Sequence, residues 1–117
     1  MNLDDLEGSH ILTGVDCDDK RMSMLFTLDN VTYLAVGDPD DGYRSYLGSF
    51  DVSTLPVVNK FEGIVVHCHA DGDYMDMISD KTEQVCMKVG TANDDGGYYP
   101  EFVCEWDAKA AGVKESQ

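Results

Sequence analysis

The segment HCHADGDYMDM at 67–77 carries the residue types best suited to chemistry in this chain. His67 and His69 are two residues apart, so on a β-strand they would lie on one face about 6.5–7 Å apart, close enough to bind one transition-metal ion. A carboxylate or thiolate from a neighbouring strand would complete a zinc site, and a water molecule would take the fourth position in a catalytic one. The pattern therefore indicates a candidate metal site formed by His67, His69, Asp76 and Cys86.

The same residues permit two other interpretations. Cys86 could act as a nucleophile, with His67 as its base and Asp76 as the orienting group. Neighbouring strands of a flat sheet offer neither an oxyanion hole nor a cleft that excludes water, so the sequence disfavours this chemistry. Alternatively, the imidazoles face solvent, and His67 opposite Asp76 is an ordinary favourable cross-strand pair. We favour the solvent-facing interpretation and predict neither enzymatic activity nor a cofactor.

A β-hairpin is the element that would position these side chains. With Asp71 and Gly72 as a two-residue turn, alternation places the apolar residues on one face, namely Val66, Cys68, Met75 and Met77. The opposite face then carries the polar residues His67, His69, Tyr74 and Asp76. A bulged loop leading to the next strand would pair Met77 with Val85 and bring Cys86 beside Asp76. This register would align His67, Asp76 and Cys86 in one row.

A second hairpin is predicted in MLFTLDNVTYLAV at 24–36, where Asp29 and Asn30 can adopt the positive φ angles of a two-residue turn. Centring the hairpin on that turn pairs Leu28 with Val31, Phe26 with Tyr33, and Met24 with Ala35. These pairs form the core face. The other face carries Thr27, Thr32, Leu25 and Leu34 and is only half polar.

The fold class follows from the spacing of such apolar runs, which recur every 8–14 residues or so with acidic turns between them. Strands are predicted at 10–16, 21–28, 31–36, 45–52, 56–58, 61–70, 73–79, 84–90 and 101–106. We expect a mainly β protein, an antiparallel meander that forms a sandwich or a small partly open barrel, with at most one short helical turn near 3–8. At 117 residues the chain suits a single β domain over 1–107, followed by a polar C-terminal tail at 108–117.

Charge is the most unusual property of the composition. Asp and Glu number 23 against 8 Lys and Arg, which gives a net charge of −15. Such a surface repels nucleic acid and anionic lipid and accelerates encounter with a basic partner, although it also serves solubility alone. The acids concentrate in turns beside tyrosines, which suggests a partner-binding surface formed by Asp38, Asp40, Asp41, Tyr43, Asp94, Asp95, Tyr98 and Tyr99.

The sequence motifs of several protein classes are absent from this chain. The chain has no P-loop, dinucleotide-binding or G-x-S-x-G motif, and its Asp-rich turns lack the ligand spacing of an EF-hand. Its apolar runs are much shorter than the roughly 20 residues of a membrane span. Four cysteines without C-x-x-C spacing, and an N-terminus without a signal-peptide pattern, lead us to expect free thiols and a cytoplasmic location.

These properties favour a non-enzymatic acidic protein that occupies the basic, nucleic-acid-facing surface of a partner enzyme and inhibits it. In size and charge the chain is similar to small acidic phage proteins that block host defence nucleases, such as anti-CRISPR and anti-restriction proteins. It is equally similar to immunity proteins that neutralise nuclease toxins. Two alternatives stay open: a metal-binding protein or enzyme that uses His67, His69, Asp76 and Cys86, and a structural or assembly component that self-associates.

Overall fold

The computed structural model describes residues 3–18, 23–37, 47–53, 57–72, 74–92 and 101–113. Within them the chain forms a short 3-10 helix at Leu3–Leu6, eight β-strands, and an α-helical turn, α1, at Ala108–Ala111. The strands are β1 (Gly8–Asp18), β2 (Ser23–Leu28), β3 (Val31–Gly37), β4 (Leu47–Ser53), β5 (Asn59–Asp71), β6 (Tyr74–Ser79), β7 (Val85–Ala92) and β8 (Glu101–Trp106). All their pairings are antiparallel, which confirms the prediction of a mainly β protein.

The eight described strands form a single sheet in the order β4-β3-β2-β1-β5-β6-β7-β8. Two four-stranded meanders therefore join through the pairing of β1 with β5. The sheet curls without closing, and β8 approaches the far side of the sheet, where the Cys104 thiol donates a hydrogen bond to the Ser23 carbonyl oxygen at 3.1 Å. The fold is a partly open barrel.

The hairpin of β2 and β3 has the predicted register. Leu28 lies opposite Val31, Phe26 opposite Tyr33 and Met24 opposite Ala35. Asp29 and Asn30 adopt positive φ angles of 52° and 69°, as a tight hairpin turn requires. The rings of Phe26 and Tyr33 stack with centroids 5.4 Å apart, and on the outer face the hydroxyls of Thr27 and Thr32 lie 2.9 Å apart.

The prediction of a separate strand at 56–58 is wrong for its two described residues, Val57 and Val58. Val57 lies outside the strands but is buried, whereas Val58 is 73 % exposed. Val57 packs on β1 at Gly14, where a Cβ atom would lie 2.5 Å from Val57 Cγ1. Of these two residues, Val57 therefore contributes its side chain to the core, and regular pairing with β1 begins at Asn59, opposite Val15.

The interior of the barrel is filled mainly by the inward residues of the strands, as two-residue alternation requires. The largest fully buried side chains are Phe26, Leu3, Leu12, Met24, Leu28, Met75, Met77, Met87, Val15, Val66, Val89 and Cys68. Leu3 and Leu6 come from the N-terminal 3-10 helix rather than from a strand. The helix is thus attached to the barrel by burial of its two leucines.

The C-terminal region departs from the predicted polar tail over residues 108–113. Asp107 caps α1, because its carboxylate accepts hydrogen bonds from the backbone N–H groups of Lys109 and Ala110. Gly112 ends the helix in the left-handed conformation at φ 77°. Ala110 and Ala111 are buried in the core, and burial explains why so short a helix is ordered here. Residues 114–117 lie outside the described part of the chain.

Candidate functional site

The β5–β6 hairpin that carries both histidines differs from its predicted register by two residues. Asp71 lies opposite Tyr74, Cys68 opposite Met77, and His69 opposite Asp76. Gly72 follows the last residue of β5 with φ 68°, so the glycine supplies the first left-handed position after the strand. A shift of two residues leaves every side chain on its predicted face.

The side chains of the β5–β6 hairpin therefore lie on the inner and outer faces that were predicted. Val66, Cys68, Met75 and Met77 are fully buried. His67 and His69 lie on the outer face with most of their side-chain surface in solvent. His67 is opposite Ile78 rather than Asp76, so the predicted His67–Asp76 pair is not formed.

Cys86 does not join the histidines. Met77 pairs with Met87 and Ile78 with Val85, so Cys86 is the extra residue of a β-bulge in β7. Its side chain is 1 % exposed and lies in the core, where the thiol donates to the Met77 carbonyl oxygen at 3.4 Å. Burial raises the pKa of the Cys86 thiol to about 11. Because the thiolate is the form that attacks and ligates, this position suits neither role.

Asp76 lies in a charged row on the outer face. It is opposite His69 on one side and opposite Lys88 on the other, and Lys88 is in turn opposite Glu105. The side chain is partly buried, and its Oδ1 atom has no hydrogen-bond partner within the described structure. Of the predicted ligands, the structure thus places His67, His69 and Asp76 on one face and Cys86 inside the barrel.

Glu7, which the sequence did not single out, is the residue that approaches both histidines. Its Oε2 atom lies 3.4 Å from His69 Nδ1 and 3.7 Å from His67 Nε2. Its Oε1 atom accepts a 2.8 Å hydrogen bond from the backbone N–H of Ala70. That backbone hydrogen bond is the main cause that lowers the pKa of Glu7; desolvation opposes it, and the His69 and His67 rings lower the pKa further.

The third histidine makes a similar contact on the opposite side of β1. The His10 ring lies with Nδ1 2.5 Å from Asp29 Oδ2 and Nε2 2.8 Å from the Leu6 carbonyl oxygen. The carboxylate and the carbonyl oxygen are both hydrogen-bond acceptors for the ring nitrogens. The His10 hydrogen bond, followed by the bond from the Ile11 N–H, lowers the pKa of Asp29.

Together these contacts attach the N-terminal segment to the barrel. Leu3 and Leu6 are buried, Leu6 accepts from His10, and Glu7 reaches the histidines of β5. In the part of the chain with assigned positions, no three His, Cys, Asp or Glu side chains are arranged to hold a metal ion. The arrangement supports hydrogen bonding between segments distant in sequence.

A cavity of about 730 Å³ opens between β1, β7 and β8. Three of its lining residues are cysteines, namely Cys17, Cys86 and Cys104, and Trp106 lies beside them. The Cys86 and Cys104 thiols donate to the backbone carbonyl oxygens of Met77 and Ser23. These two thiols therefore act as hydrogen-bond donors within the fold.

The predicted partner-binding turns lie outside the described residues. This holds for Asp38, Asp40, Asp41 and Tyr43 between β3 and β4, and for Asp94, Asp95, Tyr98 and Tyr99 between β7 and β8. Their role stays a prediction. The described strands on either side of these turns belong to the same sheet.

The fold and the site identify the chain only as an acidic antiparallel β protein whose sheet forms a partly open barrel. No protein-family model matches the chain, and no curated protein or solved structure matches it either. Among the residues with a described position, no helix is long and apolar enough to cross a membrane.

Proposed function

We propose that this protein is a non-enzymatic inhibitor that binds a basic, nucleic-acid-facing surface of a partner enzyme. The observation that carries the proposal is the net charge of −15 on a chain of 117 residues. A charge of this size and sign favours encounter with positively charged surfaces and repels nucleic acid itself. The partner would be blocked by occupancy of its substrate-binding surface, as nuclease-inhibiting phage and immunity proteins act.

Two of the described carboxylates support this proposal because hydrogen bonds hold them in position. Glu7 is held by the Ala70 N–H and Asp29 by the Ile11 N–H and the His10 ring. These contacts lower the pKa of both groups, so both carry full negative charge at neutral pH. Charges with fixed spacing on a folded scaffold can match the spacing of cationic groups on a partner, which a flexible acidic tail cannot do as selectively.

The thiols suit action in a reducing cytoplasm, which we include in the proposal. In the described structure Cys17, Cys68, Cys86 and Cys104 carry thiols and form no disulfide. Burial raises the pKa of the Cys68 thiol to about 12. A protein that keeps buried thiols protonated is compatible with the cytosolic redox balance.

The test is a binding experiment with a matched set of charge variants. The unmodified protein is used at low salt to retain partners from the native host lysate, which are then eluted with either high salt or duplex DNA. We expect a nucleic-acid-binding enzyme that is released by both and is inhibited by stoichiometric addition of the protein. Failure to retain such an enzyme, or retention without inhibition, would contradict the proposal.

The variants locate the interface. We expect Asn at Asp38, Asp40 and Asp41 to weaken binding at least tenfold and to flatten its salt dependence. The control is a second triple variant, Asp4→Asn, Glu83→Gln and Glu105→Gln, which removes the same formal charge elsewhere in the chain. If both triple variants lose affinity equally, net charge alone drives binding and the 38–41 turn is not the interface. Asn at Asp94 and Asp95 tests the second turn in the same way.

A further inference from the structure

Two exposed apolar side chains lie side by side on the outer face of the barrel. The large hydrophobic side chains exposed among the described residues are Ile11, Val58 and Val65. Ile11 and Val65 are each 49 % exposed and lie directly opposite one another where β1 pairs with β5. Ile78, on the next strand, is diagonal to Val65 and partly exposed. The pairing makes a local apolar patch, which isolated exposed residues do not.

A groove begins at the edge of this patch. It has a volume of about 570 Å³ and runs from Val65 to the end of α1. Phe61, Ile64 and Val113 provide its apolar lining, and Glu62, Asp80 and Lys81 line it as well. Its size is enough for one or two large side chains of a partner.

Carboxylates border the patch and the groove on several sides. Asp29 accepts from the Ile11 N–H at 3.0 Å, so its carboxylate lies beside the Ile11 backbone. Asp80 donates its own backbone N–H to the Val65 carbonyl oxygen at 2.9 Å, and Glu62 is exposed in the same groove. An apolar centre with a charged rim is the usual anatomy of a protein–protein interface.

We infer that the Ile11–Val65 patch and its adjoining groove form the docking surface for a basic protein segment that inserts a large apolar side chain between lysines or arginines. The inference rests on the proposed function and adds a second contact surface, on the described sheet, to the one predicted at residues 38–41. The acidic rim attracts the cationic groups, and the patch and groove accept the apolar side chain.

Charge decides between the possible occupants. A second copy of this chain also carries −15 and would place its own acidic rim against this one. Lipid headgroups and nucleic acid present anionic or zwitterionic surfaces and are disfavoured by the same carboxylates. A basic protein with an apolar anchor is the occupant that complements both the centre and the rim.

The test uses two synthetic peptides of equal charge. One is a 13-residue peptide of alternating Lys and Ser with a single central Leu, and the other has Ser in place of that Leu. Each peptide is titrated into the full chain at low salt, and the amide NMR shifts of the protein are followed. The shifts give the affinity of each peptide and the location of its binding site. We expect the Leu peptide to bind about tenfold more tightly, as burial of one leucine allows, and to shift the amides of Ile11, Val65 and Asp80.

Threonine variants provide the structural control, since threonine keeps the β-branched shape that strands favour. Ile11→Thr and Val65→Thr should abolish the preference for the Leu peptide. Val58→Thr should leave the preference unchanged, because Val58 is exposed but lies away from the patch, before β5 begins.

The outcomes separate this inference from the proposed function. Equal, salt-dependent binding of both peptides would overturn the docking surface and leave a general basic partner in place. Preferential binding of the Leu peptide with shifts elsewhere on the barrel would also overturn it. Absence of binding by either peptide at low salt would count against the proposed function as well.

Discussion

The contact between Gly14 and Val57 offers a sharp test of how the segment that precedes β5 packs on β1. A Cβ atom at Gly14 would lie 2.5 Å from Val57 Cγ1 and 3.3 Å from Val57 Cβ. The backbone at Gly14 is not in the left-handed region, so alanine meets no conformational barrier there. Space alone therefore decides the effect of Gly14→Ala.

The expected size of the effect follows from two opposing contributions. Replacing glycine with alanine within a strand stabilises the folded state by about 0.5–1 kcal/mol through backbone entropy. Overpacking of a buried, β-branched neighbour costs about 1–3 kcal/mol, and Val57 is only 7 % exposed. We expect Gly14→Ala to lower the free energy of unfolding by about 1–2 kcal/mol.

Urea denaturation of a double-mutant cycle measures this directly. Val57→Ala removes Cγ1, so Gly14→Ala should be nearly neutral or stabilising in that background, which gives a coupling of at least about 1 kcal/mol. Val58→Ala is the matched control, because its exposed side chain makes no such contact and should show no coupling. Additive effects of Gly14→Ala and Val57→Ala would refute the proposed contact between β1 and the 57–58 segment.

Two further predictions concern the attached N-terminal segment and the buried thiols. The pKa values of Glu7 and Asp29 are lowered from 4.5 and 3.8, so their contribution to stability is present above those values and is lost as pH falls below them. Glu7→Gln and Asp29→Asn should therefore flatten the acid limb of a plot of urea midpoint against pH, whereas Glu62→Gln should not; an unchanged acid limb would contradict the contacts. In the native protein at pH 8, Cys17 should react with a thiol reagent, while Cys68 and Cys86, with pKa values near 12 and 11, should react only on unfolding. Mass spectrometry of the labelled peptides shows the order in which the cysteines react. Rapid labelling of Cys86 in the native protein would show that its core position is wrong.

Local sequence patterns were sufficient for the register of the β2–β3 hairpin and for the inward and outward faces of the β5–β6 hairpin. The β2–β3 register follows from Asp29 and Asn30, whose side chains tolerate the positive φ angles of the turn, and from the apolar alternation on both sides. The faces of β5 and β6 follow from the same alternation, although the turn lies one residue later than predicted. A slip of two residues keeps the burial pattern, so hydrophobicity alone could not select between the two registers.

The predicted row of His67, Asp76 and Cys86 depended on how two neighbouring strands are aligned. Placing Cys86 beside Asp76 required a particular alignment of β6 and β7, and the bulge at Cys86 changed that alignment. The bulge turns the thiol inward, where it donates to the Met77 carbonyl oxygen. A single inserted residue moves the side chains on one side of the bulge to the opposite face of the sheet. A short apolar strand such as VCMKV does not reveal where such an insertion lies.

The sequence by itself determined most of the strand content, the inward and outward faces of the two hairpins, and the strongly acidic character, because each depends on composition or on a two-residue period within one segment. Only the tertiary structure decided that Glu7 meets His67 and His69, that Val57 packs on Gly14, and that Ile11 lies beside Val65. The Glu7–His69 contact spans 62 residues of chain, and it exists because β1 pairs with β5. Pairing between distant strands is selected by the packing of the whole core, and no local pattern in either strand specifies its partner.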